Sequence, residues 1–386
     1  MIWDRHPFKA FGNHGISPDF SLLAFFLMYL VFTIPPFTNL EGSLYRRFCW
    51  LFSLLIVTAS PVFAERCIEL VPHRNQLPMP SIFLELELES ACILEAGIFQ
   101  GSLSLQRSNT TTISPDKYLN NSRLILDHER EEVTVKAAAG LGSGWDMNLR
   151  FRHLKDWEGN WDGFMRRFHQ VTGLPYESRK VRPDGKFLYW QYQPDSNRSN
   201  KFIWITKTQQ GPGDYVMTFR RRHGSPIGSS EVKWNTRIVY KHPSADELPT
   251  ISSGKKDFGI STAGEGSEVW FGQPVRWLLN LGIVHAGQTE HTLYSQKRTF
   301  FSGGGALSTP YSKNLTFTAQ NLVASPRYRA PGLELKGMNQ WQLILGLGAF
   351  YHLENHSLMF GFSEDLLTNH SEDFSLILTW LGRFGE

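Results

Sequence analysis

The chain has 386 residues, with 39 Lys and Arg against 36 Asp and Glu, for a formal net charge of +3. Charged residues make up only 19% and aromatics reach 13%, which excludes a disordered chain and a histone-like grip on nucleic acid. Three cysteines exclude a disulfide-dense scaffold or a cysteine-rich zinc module, and no period of a few tens of residues repeats.

Residues 44–64 carry Arg46 and Arg47, a short apolar run at 49–59, and Val62 and Ala64 as small residues before a cut. That is the pattern of a secretory signal peptide. Upstream, the apolar run at 20–34 stops at Pro35-Pro36 and is shorter than the roughly 20 residues a spanning helix needs. Two readings stand for 1–43, an extra membrane segment or an upstream extension before a start near Leu44; the second is favoured. Neither Cys49 nor Cys67 sits in a lipoprotein pattern, so no lipid anchor is expected. Residues 65–93 are read as a periplasmic or first-strand segment, and 94–386 as the main fold.

From there the chain alternates with period 2. Trp145, Met147, Leu149 and Phe151 share one face, and Asp146, Asn148, Arg150 and Arg152 the other. Val232, Trp234, Thr236, Ile238 and Tyr240 repeat the pattern, as do Val275, Trp277, Leu279, Leu281 and Ile283. Such alternation means strands with one apolar and one polar face. Twelve strands are expected near 94–107, 121–140, 145–153, 214–222, 231–241, 257–270, 275–287, 298–308, 313–323, 340–351, 355–363 and 373–384. Connections at 141–144, 271–274, 309–312 and 352–354 are short, and those between them are longer, up to 154–213. An even strand count, with short turns on one rim and long loops on the other, is the rule of outer-membrane barrels. The expected fold is therefore an all-β, closed antiparallel transmembrane barrel, in contact with outer-membrane lipids. The last strand keeps Phe374, Leu376, Leu378, Trp380, Gly382 and Phe384 in one parity. Barrel-assembly machinery reads that kind of terminal strand and is the expected partner; the oligomeric state is left open.

Several motifs carry a resemblance. They are V-P-H-R-N-Q-L-P (71–78), L-D-H-E (126–129), G-L-G-S-G-W-D (140–146), F-H-Q-V-T-G-L-P (168–175) with Arg179, G-P-G-D (211–214), G-F-S-E-D-L (361–366) and D-F-S-L-I-L (373–378). In this order the set resembles the uncharacterised outer-membrane proteins of Gram-negative bacteria grouped as domain of unknown function 3187. The resemblance implies an outer-membrane barrel and no established activity. The sequence departs from the family's K-x-P-T-G-D loop, with Lys241-His242-Pro243-Ser244-Ala245-Asp246 there and Ser253-Gly254-Lys255-Lys256-Asp257 after it.

Candidate functional residues follow from strand parity. Lys136, Arg150, Arg152, Arg220, Arg222, Lys233, Arg237, Arg276 and Arg383 fall on polar faces and point into a barrel. They would either line an anion-preferring lumen or pair with loop carboxylates in a closed interior. In the long loop, Trp161, Phe164, Met165, Phe168 and Val171 recur at helical spacing, with His169 beside them. This candidate constriction helix would either fold into the lumen or cap the rim. Cys67 and Cys92 either pair in an oxidising compartment or stay separate thiols. For hydrolysis, His153 and His285 lie near the long-loop ends of strands, but no spacing ties a serine to either. Asp127-His128-Glu129 are consecutive in a strand and cannot all face one metal ion. No nucleotide, dinucleotide or metalloprotease motif occurs, so neither enzyme activity nor a cofactor is expected. The leading reading is a channel or transporter for small solutes, anions among them. A non-conducting structural or surface-interaction barrel comes second and a lipid hydrolase third.

Overall fold

The computed structural model of the protein describes residues 67–114, 124–172, 180–193, 201–224, 232–244, 248–289, 293–329, 339–366 and 374–385. The expectations for 1–43 and for the signal peptide at 44–64 lie outside these residues. Strands β1 (Phe99–Ser114), β2 (Leu124–Gly142), β3 (Trp145–Trp157), β4 (Leu188–Gln193), β5 (Lys201–Ile205) and β6 (Gln209–Pro212) come first. Then come β7 (Tyr215–His223), β8 (Lys233–His242), β9 (Asp257–Trp270), β10 (Gln273–Ala286), β11 (Ser295–Gln296) and β12 (Thr299–Ser312). Last are β13 (Leu315–Ala324), β14 (Tyr328–Arg329), β15 (Gln342–His352), β16 (His356–Asp365) and β17 (Phe374–Phe384). Two helices are described, α1 (Pro78–Ser81) and α2 (Asp162–Thr172).

Twelve of these strands form one closed antiparallel ring, β1-β2-β3-β7-β8-β9-β10-β12-β13-β15-β16-β17. The ring closes where β17 pairs with β1, from Phe99 with Phe384 to Asn109 with Phe374. Closure leaves no unpaired edge, as a membrane interior requires. Among the described residues no helix is long and apolar enough to cross a membrane, so any crossing is made by strands. Side chains alternate as the pleat demands. On β17, Leu378 is 51% exposed while its neighbours Ile377 and Thr379 are buried; on β16, Phe360 is 58% exposed beside buried Met359 and Gly361. Leu103, Leu105, Val133, Val135, Phe258 and Ile260 continue this outward apolar surface, which water would not tolerate and lipid does.

The rims differ as expected. Two-residue turns join β2 to β3 and β9 to β10. The latter has positive φ at both Phe271 (52°) and Gly272 (80°), the mirror-image turn whose twist matches that of the flanking strands. The longest connection on this rim is 224–232. On the opposite rim β1, β2 and β3 run to 16, 19 and 13 residues, beyond the roughly 9–11 that cross a bilayer. Their projecting ends pair with accessory strands, β4 with β2 and β6 with β3, and β5 extends β4.

One expectation fails here. The first strand starts at Phe99 rather than near 94, and residues 67–94 are neither periplasmic nor part of that strand. They run inside the barrel, where Leu77, Met79, Asn75 and Gln76 are fully buried. Residues 84–89 alternate apolar and acidic like a strand, but face the inner wall instead of pairing in the ladder.

Candidate functional site

The inserted segment is a hairpin. Its rising leg is held by Ile68 N–H to Glu265 (2.7 Å), Val71 N–H to Gln320 (3.0 Å) and Arg74 to Glu132 (2.6 Å). The tip is the single turn α1, where Pro78 sits at the helix start, a position that needs no N–H donor. Ser81 Oγ accepts from Arg130 (2.6 Å), Pro80 C=O accepts from Arg327 (2.8 Å) and Tyr328 donates to Met79 C=O (3.1 Å). The falling leg is anchored by Leu84 N–H to Asp257 (2.7 Å), Glu89 N–H to Asn280 (3.1 Å), Ala91 N–H to Glu265 (3.0 Å) and Leu94 N–H to Asp146 (2.8 Å). These partners follow one another from the long-loop end to the short-turn end, so the leg runs along the barrel axis.

Sequence makes this leg two-faced. In Leu84-Glu85-Leu86-Glu87-Leu88-Glu89 the leucines point one way and the glutamates the other. The inner wall is shaped for the leucines: a Cβ at Gly282 would lie 2.5 Å from Leu86, and one at Gly259 2.8 Å from it. The glutamates meet cations. Glu85 pairs with Arg327 (3.2 Å), Glu87 with Arg150, and Glu89 with Lys136 (2.5 Å), Arg237 (3.6 Å) and Arg220 (3.8 Å). Over 67–98 the chain has five glutamates and one arginine, so an acidic hairpin fills a barrel whose inner strand faces supply the cations.

The candidate lining residues are thus in the lumen but face the plug rather than an open pore. Lys136, Arg150, Arg152, Arg220 and Arg237 all point inward, and Arg220 is held by Asp146 (2.5 Å) as well as by Glu89. Arg222 and Lys233 sit at the short-turn rim, the first paired with Glu95 (2.8 Å) and the second 3.4 Å from Cys92 Sγ. Arg276 keeps the inward parity at the same rim, opposite Ser267 and Ser308. Lys136, Arg150 and Arg237 are paired, but with carboxylates of the inserted segment rather than of the loops. The plug carboxylates, Asp156, Asp214 and Lys241 escaped sequence reasoning. The signal that could have found the first of them was charge complementarity between the Leu-Glu repeat and the basic strand faces.

The candidate constriction helix is not in the lumen. Phe374 has the outward parity of Leu378 and Trp380, and Phe164 and Phe168 of α2 pack on it at ring separations of 6.1 and 4.8 Å. Phe362, also outward, stacks on Phe374 at 5.9 Å. His169 lies 3.9 Å from Glu364 on the same outer face, and Met165 is buried beneath the helix. Trp161 N–H donates to Glu129, and Arg107 lies over the Trp161 ring at 4.4 Å. The physical reason is plain. The projecting wall would expose these outward aromatics to water, while the lumen is already filled. Of the two placements the spacing allowed, the helix is a cap on the outside of the rim.

Cys67 and Cys92 are bonded to each other and close the base of the hairpin at the short-turn end. Their sulfurs, near Glu265, are committed to that bond and offer no thiolate for a metal. Alkylation of the unreduced, denatured protein is expected to label neither residue, and to label both after reduction; mass spectrometry of the two peptides reads the result. At the short-turn rim, His352 joins plug to wall, with Nδ1 3.3 Å from Glu69 and Nε2 2.8 Å from Thr316. His285 meets Thr299 (3.3 Å), and His153 faces outward from β3. Asp127 and Glu129 face outward, toward Arg182 (2.7 Å) and Arg107 (2.6 Å), while His128 faces inward, so the three do not converge.

Two further motifs find structural partners. Asp214 of G-P-G-D and Asp257 both pair with buried Lys241, at 2.6 and 3.2 Å. Val71 of the opening motif lies against Gly348 and Gly361.

The family described as "Protein of unknown function (DUF3187)" matches residues 52–384. None of the curated proteins compared matches the chain. Among solved structures, the COG4313 outer membrane channel from Pseudomonas putida F1 is similar with a TM-score of 0.50 and 9% identity, covering 78% of this chain and 100% of that one. The NanC porin is similar with a TM-score of 0.40 and 8% identity, covering 74% of this chain and 99% of that one. The first likeness is one of fold: a closed antiparallel outer-membrane barrel.

Proposed function

The chain belongs to the DUF3187 family, and from that premise we propose that it is an outer-membrane channel or transporter for small solutes, closed by its own residues 67–98. The observation that carries this reading is the chemistry of the plug–wall contact. A lumen meant only to be filled is served best by apolar packing, since buried ion pairs add little net stability over hydrophobic groups of similar size. The leucine face of the plug does pack this way, but elsewhere plug and wall meet through carboxylates, guanidiniums and ammonium groups that water can solvate once they separate. An interface that is wettable over its ionic part supports a plug that moves. The protein reaches its site through the signal peptide, is inserted among outer-membrane lipids through its C-terminal strand, and catalyses no reaction.

The second reading, a non-conducting structural barrel, is favoured by the disulfide that closes the plug's base. Planar-bilayer recording of the purified full chain separates the two. The channel reading expects openings under applied voltage and a preference for anions. Ion-tight bilayers, both with the wild type and after the plug is removed, would leave the structural reading.

A further inference from the structure

The hydrogen-bond donors around the plug are not all used. Lys136, Arg150 and Arg237 surround two carboxylates, Glu87 and Glu89, while nearby Arg220 is largely committed to Asp146. A cavity opens beside these groups, lined by three carboxylates, Glu85, Glu87 and Glu89, and by Lys136, Asn148, Arg150 and Arg237. Asn148, Arg150 and Arg237 are 2%, 7% and 2% exposed. Among the described residues no acceptor meets Asn148 Nδ2, Arg150 Nε or Arg237 Nε. Buried donors without acceptors are costly, and three around one cavity fit an oxyanion ligand. Another buried ionic cluster differs. Lys241 Nζ donates to Ile82 C=O, Asp214 and Ser253, which uses all three of its protons on the protein itself.

We infer that Lys136, Asn148, Arg150 and Arg237 form a binding site for a small solute carrying two carboxylates, and that Glu87 and Glu89 occupy it as a tethered stand-in. In an extended segment these two glutamates share a face with a repeat of roughly 7 Å, about the span of extended adipate. The inference deepens the channel reading, on which its consequence rests: a dicarboxylate that displaces the glutamates loosens the plug. A tethered group competes at an effective concentration in the millimolar range or above. The wild type therefore binds free dicarboxylate weakly.

The test is equilibrium dialysis of labelled adipate against the folded full chain in detergent. Glu87→Gln with Glu89→Gln is expected to bind adipate at least about tenfold more tightly than the wild type. Adding Arg237→Gln should abolish that binding, and neutral adipamide should not compete. Equal adipate affinity in wild type and double variant would overturn the inference, as would binding indifferent to Arg237→Gln. If the double variant loses its heat-modifiable folded band, Glu87→Gln alone serves with the same expectation. Dialysis needs no conduction, so the two readings fail separately. Adipate binding with an ion-tight barrel rejects the channel alone, and conduction without adipate binding rejects the dicarboxylate site alone.

Discussion

Replacing residues 68–91 with a short Gly-Ser linker is expected to turn the barrel into an open, anion-preferring pore. The ladder that closes the ring does not pass through the plug, since β17 pairs directly with β1 over eleven registered positions. The barrel should therefore still form and still resist detergent until heated. The removed residues include Glu69, Glu85, Glu87 and Glu89 against the single cation Arg74, so the lumen becomes more positive. Lys136, Arg150, Arg152 and Arg237 would then face water inside a narrow, low-dielectric tube, where fixed charges act on passing ions with little screening. Reversal potentials under a salt gradient should report anion selectivity. Arg150→Glu with Arg152→Glu on the same background should lower or reverse it. The cost is stability: Ala263, Leu278, Ala306 and Leu322, now packed on Ile68 and Leu88, would become wet. The deleted barrel should lose its heat-modifiable mobility at a lower temperature than the wild type. A deleted barrel that folds but passes no current would refute plug gating.

The second large effect is expected at Asp156→Ala. Asp156 and Arg130 are both fully buried and joined by two hydrogen bonds of 2.6 and 2.8 Å. Arg130 also donates to Ser81 Oγ on the plug tip and to Thr250 C=O, each at 2.6 Å. One guanidinium thus ties together β2, β3, the plug tip and the loop before β9. Removing the carboxylate strands that charge without its counterion, which costs about 3–5 kcal/mol where such a pair is broken. Replacing both partners, Arg130→Met with Asp156→Leu, should recover much of the loss, because no uncompensated charge remains. By contrast, Arg166 and Asp184 form an exposed pair on the outer side, and Asp184→Ala should cost no more than about 1 kcal/mol. Urea unfolding in lipid vesicles, followed by tryptophan fluorescence, compares the three. A loss at Asp156 no greater than at Asp184 would contradict the anchoring role.

The barrel was legible in the sequence because its signals are local. Alternation assigns a strand's two faces from a handful of neighbours, and turn length assigns the rims, so the twelve strands and the inward parity of Arg150, Arg220 and Arg237 need no tertiary information. The existence of α2 was legible for the same reason, from the spacing of Trp161, Met165 and Phe168. Tertiary structure alone decided the rest. Leu84 to Glu89 carries the same period-2 signal as a wall strand, and only its partners Arg150, Gly259, Gly282 and Arg327, far along the chain, make it a plug. Which side of the wall α2 covers depends on Phe362 and Phe374, about two hundred residues away. Spacing states which face a residue takes and is silent on what that face meets. The meeting is set by closure of the ring, which brings distant carboxylates and guanidiniums into one lumen where each lowers the other's cost of burial.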